Sequence, residues 1–135
     1  MTALETTANG VPVRILVVDD SSLVRLYYRS ALEKAGFAVD QAINGLEAME
    51  KVLVERFDLV IVDVNMPKMD GFSFLRALRT SEGEVASIPA LVISTEAGRQ
   101  DCEDARAAAA NYYLVKPVSE ADLVGHATVL AGAPP

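Results

Sequence analysis

In 135 residues the chain has one cysteine, Cys102, one histidine, His126, and no tryptophan. A lone thiol cannot close an internal bridge, and no Cys or His cluster surrounds it, so a disulfide scaffold and a zinc module are both excluded. Long hydrophobic runs are missing too: none approaches the ~18 residues of a membrane span. Positive charge is scarce, with 12 Lys+Arg against 19 Asp+Glu and a net charge of −7. That balance argues against holding nucleic acid through general surface charge. The opening MTALETTANGVP lacks both the cationic region and the apolar stretch of an export signal. These absences leave a cytoplasmic, reduced protein as the expectation. What is present fits an ordinary globular domain: 51% apolar and 23% charged residues, in a length that can bury a core of its own.

The expected organisation is a tail over 1–12, a folded domain over 13–131 and a short tail over 132–135. Within the domain, short apolar runs alternate with amphipathic stretches. Val13–Val18 is rich in β-branched residues and stops at Asp19-Asp20-Ser21-Ser22; such a continuous run suits a strand covered on both faces. Ser21 or Asp20 can cap the helix that follows, with Leu23, Leu26, Tyr27, Ala31, Leu32 and Ala35 as its expected apolar stripe and Gly36 as its stop. A weaker strand over 37–42 precedes a helix from Asn44-Gly45 with the stripe Leu46, Met49, Val52 and Leu53. Leu59–Val62 ends in Asp63, and a loop to Gly71 leads into a helix through Phe74, Leu75 and Leu78. Residues 81–89 read as linker, Ala90–Ile93 as a strand ending in Ser94-Thr95, and roughly 98–110 as an alanine-rich helix carrying Cys102. Tyr112–Val115 ends in Lys116-Pro117, and Ser119 caps a last helix. Five strands alternating with five helices predict an α/β fold with a doubly wound parallel sheet, whose ligands bind beyond the carboxyl ends of the strands.

Those ends carry Asp19-Asp20, Asp63, Ser94-Thr95 and Lys116. Three convergent carboxylates repel, each pair by about 4 kcal/mol at ~4 Å for an effective dielectric near 20, so the cluster needs a proton or a cation. Oxygen-only ligands select a hard ion, Mg²⁺ or else Mn²⁺ or Ca²⁺. Lys116 suits a phosphate oxygen as a point charge, and the Ser94 hydroxyl can donate to another. Asp63 then reads as a nucleophile that forms an acyl phosphate. Pro117 allows a cis bond after Lys116, aiming the lysine inward.

Four stretches taken together, Asp19-Asp20, Asp63 through Gly71 (DVNMPKMDG), Ser94-Thr95-Glu96 and Lys116-Pro117, resemble the receiver domains of two-component response regulators. The likeness is to the stand-alone chemotaxis type and runs from about Val13 to Leu130. Each stretch alone is weak, since an Asp pair after a strand is commonly a helix cap with a solvated charge; all four in order, each at a strand end, are specific.

The resemblance implies a flavodoxin-like sheet of order 2-1-3-4-5 with five helices. It makes Asp63 the acceptor of a phosphoryl group from a histidine kinase, a phosphotransfer protein or a small acyl phosphate. Asp20, Asp63 and the backbone carbonyl of Asn65 would ligate Mg²⁺, with Asp19 acting partly through water. Ser94 would be the switch hydroxyl and Tyr113 the aromatic that swings as Ser94 moves, with Tyr112 as a neighbouring second candidate. Asn65 and Glu96 would tune the lifetime of the phosphoryl group. The fourth helix, fifth strand and fifth helix would form the output face, read by a partner such as a flagellar motor switch component, with no part for nucleic acid or membrane insertion. Such a domain is a switch and not an enzyme acting on a separate substrate. A phosphorelay shuttle or sink is the alternative role.

Departures from the pattern are visible: Ala109 stands where the family usually places a glycine, and Val64 where chemotaxis relatives often carry tryptophan. A phosphohydrolase of the haloacid-dehalogenase kind would want an aspartate two residues after the nucleophile, where this chain has Asn65. A flavodoxin would want a hydroxyl- and glycine-rich loop after the first strand, where Asp19-Asp20 would repel a flavin phosphate.

Overall fold

The computed structural model describes residues 12–96 and 98–133, so most of the two expected tails lies outside the described residues. Strands and helices alternate: β1 (Arg14–Val18), α1 (Ser22–Lys34), β2 (Ala38–Ala42), α2 (Gly45–Val54), β3 (Leu59–Asp63), α3 (Gly71–Arg79), β4 (Ala90–Ser94), α4 (Arg99–Ala107), β5 (Tyr112–Val115) and α5 (Glu120–Ala131). All strand pairs are parallel, in the order β2-β1-β3-β4-β5, the expected α/β sheet. β1, β3 and β4 are buried over nearly their whole length, which is why their sequences are continuous apolar runs rather than alternating ones.

The pleat sends alternate side chains to opposite faces. Ile15, Val17, Leu59, Ile61, Leu91 and Ile93 pack with Tyr28, Leu32 and Leu123 on the α1/α5 side. Leu16, Val18, Val60, Val62, Ala90 and Val92 pack with Phe74, Leu75 and Leu78 on the other. Local chemistry starts the helices: Ser21, Asn44, Asp70 and Ser119 each accept a backbone N–H from the first turn.

Several details differ from the sequence expectations. In α1 the face toward the sheet is Val24, Tyr28, Ala31 and Leu32, while Leu23, Leu26 and Tyr27 are exposed. Apolar residues cover two adjacent faces of this helix, so periodicity alone does not set its phase. α2 likewise buries Gly45, Ala48 and Val52 and exposes Leu46 and Leu53. The expected linker contains a 3-10 turn over Gly83–Ser87. α4 stops at Ala107 instead of Ala110, because Ala109 turns left-handed with φ 61°. α3 enters tightly: a Cβ on Gly71 would collide with the Asp63 carbonyl oxygen, so only glycine lets the helix start directly beneath the end of β3.

Candidate phosphoryl-transfer site

Register explains how the strand ends meet. Val18 lies opposite Val62, and Asp63 opposite Ile93, with Ser94 opposite Val115. The next residue on each strand is therefore Asp19 beside Asp63, then Ser94, then Lys116. Alternation divides them. Asp63 continues the Leu59–Ile61 row on the α1/α5 side, and Lys116 follows Leu114 there. Ser94 and Tyr113 continue the opposite row, where Tyr113 packs against the second core. One sheet edge thus presents a charged row and a hydroxyl row, back to back.

In the charged row, Asp19, Asp20 and Asp63 bring carboxylate oxygens within 4.8 Å of one another. Lys116 Nζ donates to Asp63 Oδ1 at 3.3 Å and to Asp19 Oδ2 at 3.5 Å. Asp19 is buried, Asp63 half-buried and Asp20 exposed, so the cluster opens to solvent at one side. Burial first, and then repulsion from Asp19, push the Asp63 carboxyl above its ordinary pKa, with Lys116 pulling the other way. Three carboxylates against one ammonium leave an uncompensated negative charge that a divalent cation would balance, and a donor set of oxygens alone fits a hard ion such as Mg²⁺. The Tyr28 phenol, buried nearby, is held protonated by burial and by the Asp19 and Asp63 charges.

In the hydroxyl row, Ser94 is fully buried and its Oγ accepts the Glu96 N–H at 3.1 Å. The Tyr113 hydroxyl donates to the Glu96 carbonyl oxygen at 2.6 Å. Its ring therefore lies beside the Ser94 loop. Tyr112 points away, half exposed, and stacks on His126 of α5 with 4.8 Å between ring centroids. Asn65 and Glu96 are exposed, and Asn65 lines an open groove with Asp70, Arg76 and Asp104. The Lys116-Pro117 peptide is cis.

Sequence reasoning missed two arginines. Arg25, on α1, donates to the Asp19 carbonyl oxygen at 2.8 Å, and Arg79, on α3, donates to the Ala109 carbonyl oxygen at 2.9 and 3.1 Å. Nothing in the local sequence marks either, because these carbonyl acceptors are backbone atoms brought close by the fold. The Asp19 side chain also closes a turn of its own, Oδ1 accepting the Ser21 N–H at 2.9 Å.

Comparison with known proteins agrees with this geometry. The response regulator receiver domain family matches residues 15–128. The "Gliding motility regulatory protein" of Myxococcus xanthus is 39% identical over 104 residues, 77% of this chain but 13% of that protein. The "Transcriptional regulatory protein PrrA" of Mycobacterium leprae is 38% identical over 117 residues, 87% of this chain and 49% of its own length. The chain thus spans at most about half the length of these curated relatives. Among solved structures, the Vibrio cholerae chemotaxis protein CheY4 aligns with TM-score 0.82 at 34% identity, covering 87% of this chain and 98% of that one. A putative response regulator from Chloroflexus aurantiacus aligns with TM-score 0.84 at 28% identity, covering 89% and 98%. The match over most of the chain, on the same fold, places this protein in the response regulator receiver domain family.

Proposed function

We propose that this chain is a phosphoryl-accepting switch of a two-component pathway, with Asp63 as the residue that takes the phosphoryl group. Receiver domains are signalling switches that bind Mg²⁺ through acidic residues and interact with histidine kinases or phosphotransfer proteins. The observation that carries the reading is the Lys116 ammonium set against both Asp63 and Asp19, with Asp20 completing the acidic edge.

In this reading Asp20, Asp63 and the Asn65 backbone carbonyl hold Mg²⁺, with Asp19 acting through water; Mn²⁺ would serve the same donors. The bound cation would supply charge neutralisation on the phosphoryl oxygens. An Asp63 oxygen attacks the phosphorus of a phosphohistidine or acyl phosphate, forming a P–O bond as the donor's bond to phosphorus breaks. Lys116 exchanges part of its contact with Asp63 for a phosphoryl oxygen. Ser94 gives up the Glu96 N–H and donates its hydroxyl to another phosphoryl oxygen. Because the Tyr113 hydroxyl is tied to the same Glu96 residue, that movement reaches Tyr113 and then the α4-β5-α5 face. Asn65 and Glu96 flank the phosphoryl group and set its lifetime. The likeness to a chemotaxis protein supports chemotaxis-type signalling in the cytoplasm, with a partner such as a flagellar motor switch component.

Acetyl phosphate with Mg²⁺ should shift the wild-type band on a Phos-tag gel, and EDTA should prevent it. Asp63→Asn should abolish the shift, and Lys116→Ala should leave it while uncoupling partner binding. A labelled Asp63→Asn protein, or an unlabelled wild type, would overturn the reading. A pull-down with and without beryllofluoride tests the output face directly.

A further inference from the structure

We propose that Arg25 is a positioning residue for the divalent-cation site, fixing the peptide between Asp19 and Asp20 so that both carboxylates face Asp63. The inference shares the cation site of the reading above and adds a residue to it.

From the first turn of α1, the Arg25 guanidinium bridges two acceptors. Nη1 donates to the Asp19 carbonyl oxygen at 2.8 Å and Nε to Gln41 Oε1 at 3.1 Å. Gln41 sits on β2 opposite Val17 of β1, so one side chain ties helix, loop and neighbouring strand together. The other polar atoms of Asp19 are already engaged. Its N–H donates to the Ala42 carbonyl at 3.1 Å, Oδ1 accepts from Ser21, and Oδ2 accepts from Lys116. Arg25 adds the remaining restraint, on the carbonyl of the peptide that leads into Asp20.

That restraint matters because Asp20 is exposed and, among the described residues, no hydrogen bond or ion pair holds its carboxylate. Its place in the cluster is set by backbone direction alone. Arg25 forms no ion pair with a carboxylate among the described residues, so its two donor contacts are to an amide side chain and a main-chain carbonyl. A planar guanidinium can hold two acceptors at a fixed angle, and a lysine ammonium on a flexible stem is a poor substitute. Partners that orient metal-ligating side chains commonly change affinity by about 10–100-fold when removed, and Arg25 acts on one such ligand, Asp20, through the peptide that precedes it.

The sign of the effect separates positioning from plain electrostatics. A nearby cation repels Mg²⁺, so if charge were the whole role, Arg25→Ala would bind Mg²⁺ more tightly. Positioning predicts weaker binding. Calorimetric titration of MgCl₂ into the full chain, with no phosphodonor present, reads this directly. Arg25→Ala should raise the Mg²⁺ Kd roughly tenfold. Arg25→Lys, which keeps the charge and loses the fork, should recover only part of the loss and carries the test if the alanine variant does not fold. Melting in EDTA identifies any loss of folding separately. An Arg25→Ala Kd equal to or below wild type, or full recovery by lysine, would overturn the proposal. A wild type that binds no Mg²⁺ would instead sink the cation site itself, before any variant is compared.

Discussion

α1 and α4 end in the same hydrogen-bonded turn built on different residues. At the end of α1, Phe37 N–H donates to the Leu32 carbonyl at 3.1 Å and Gly36 N–H to Glu33 at 3.0 Å, with Gly36 at φ 102°. At the end of α4, Ala110 N–H donates to Ala105 at 3.0 Å and Ala109 N–H to Arg106 at 2.9 Å, with Ala109 at φ 61°. Both are the left-handed helix stop that favours glycine. Alanine there costs about 1–2 kcal/mol.

What offsets that cost is Arg79. Its guanidinium donates twice to the Ala109 carbonyl, and also to the carbonyls of Ala86 and Ile88 and to Asn111 Oδ1. Asn111 in turn accepts the Ala90 N–H. The two helices are also anchored differently. α1 buries Tyr28, Ala31 and Leu32, whereas α4 buries Ala105 alone. A helix with little buried apolar surface is easy to shift, and α4 flanks the Ser94–Tyr113 row. α1 is thus held by packed apolar side chains, while α4, beside the Ser94–Tyr113 row, is held by hydrogen bonds at its end.

Three substitutions break or sharpen this contrast, and a fourth experiment probes the charged row. The largest effect is expected from Arg79→Ala, which removes five charge-assisted hydrogen bonds, two of them to the part-buried carbonyls of Ala86 and Ile88, and should lower stability by about 2–3 kcal/mol in urea denaturation; a loss below half of that would remove Arg79 as the clamp. Gly36→Ala should cost about 1–2 kcal/mol by placing alanine in the left-handed turn of α1, where no arginine compensates. Ala109→Gly should gain about 0.5–1 kcal/mol, the relief of strain less the entropy of glycine. If the two turns respond with the same sign, the contrast between them is wrong.

The smallest effect concerns pH. Asp63 has a raised pKa in the folded state, so between its unfolded and folded pKa the native chain binds more proton than the unfolded chain. The stability tied to that proton is present at low pH and lost as pH rises through the folded pKa. In EDTA, Asp63→Asn should therefore melt about 1–3 °C higher than wild type at pH 7, with the gap closing as pH falls into the ordinary carboxylate range. A gap that is absent at pH 7 or widens on acidification contradicts the burial and repulsion assigned to Asp63.

The sequence by itself determined the sheet and the polar residues that gather at its edge. Strands buried on both faces must be unbroken β-branched runs, and the polar residues that end them, Asp19, Asp63, Ser94 and Lys116, mark where each strand leaves the core. It also showed Ala109 as an anomaly without saying what compensates it. Only the tertiary structure decided which face of α1 is buried, because apolar residues cover two of its faces, and that Tyr113, not Tyr112, lies beside Ser94. It alone revealed Arg25 and Arg79 as braces. Most of their acceptors are main-chain carbonyls, which every residue carries and no side-chain pattern announces, and Arg79 reaches Ala109 across 30 positions of chain.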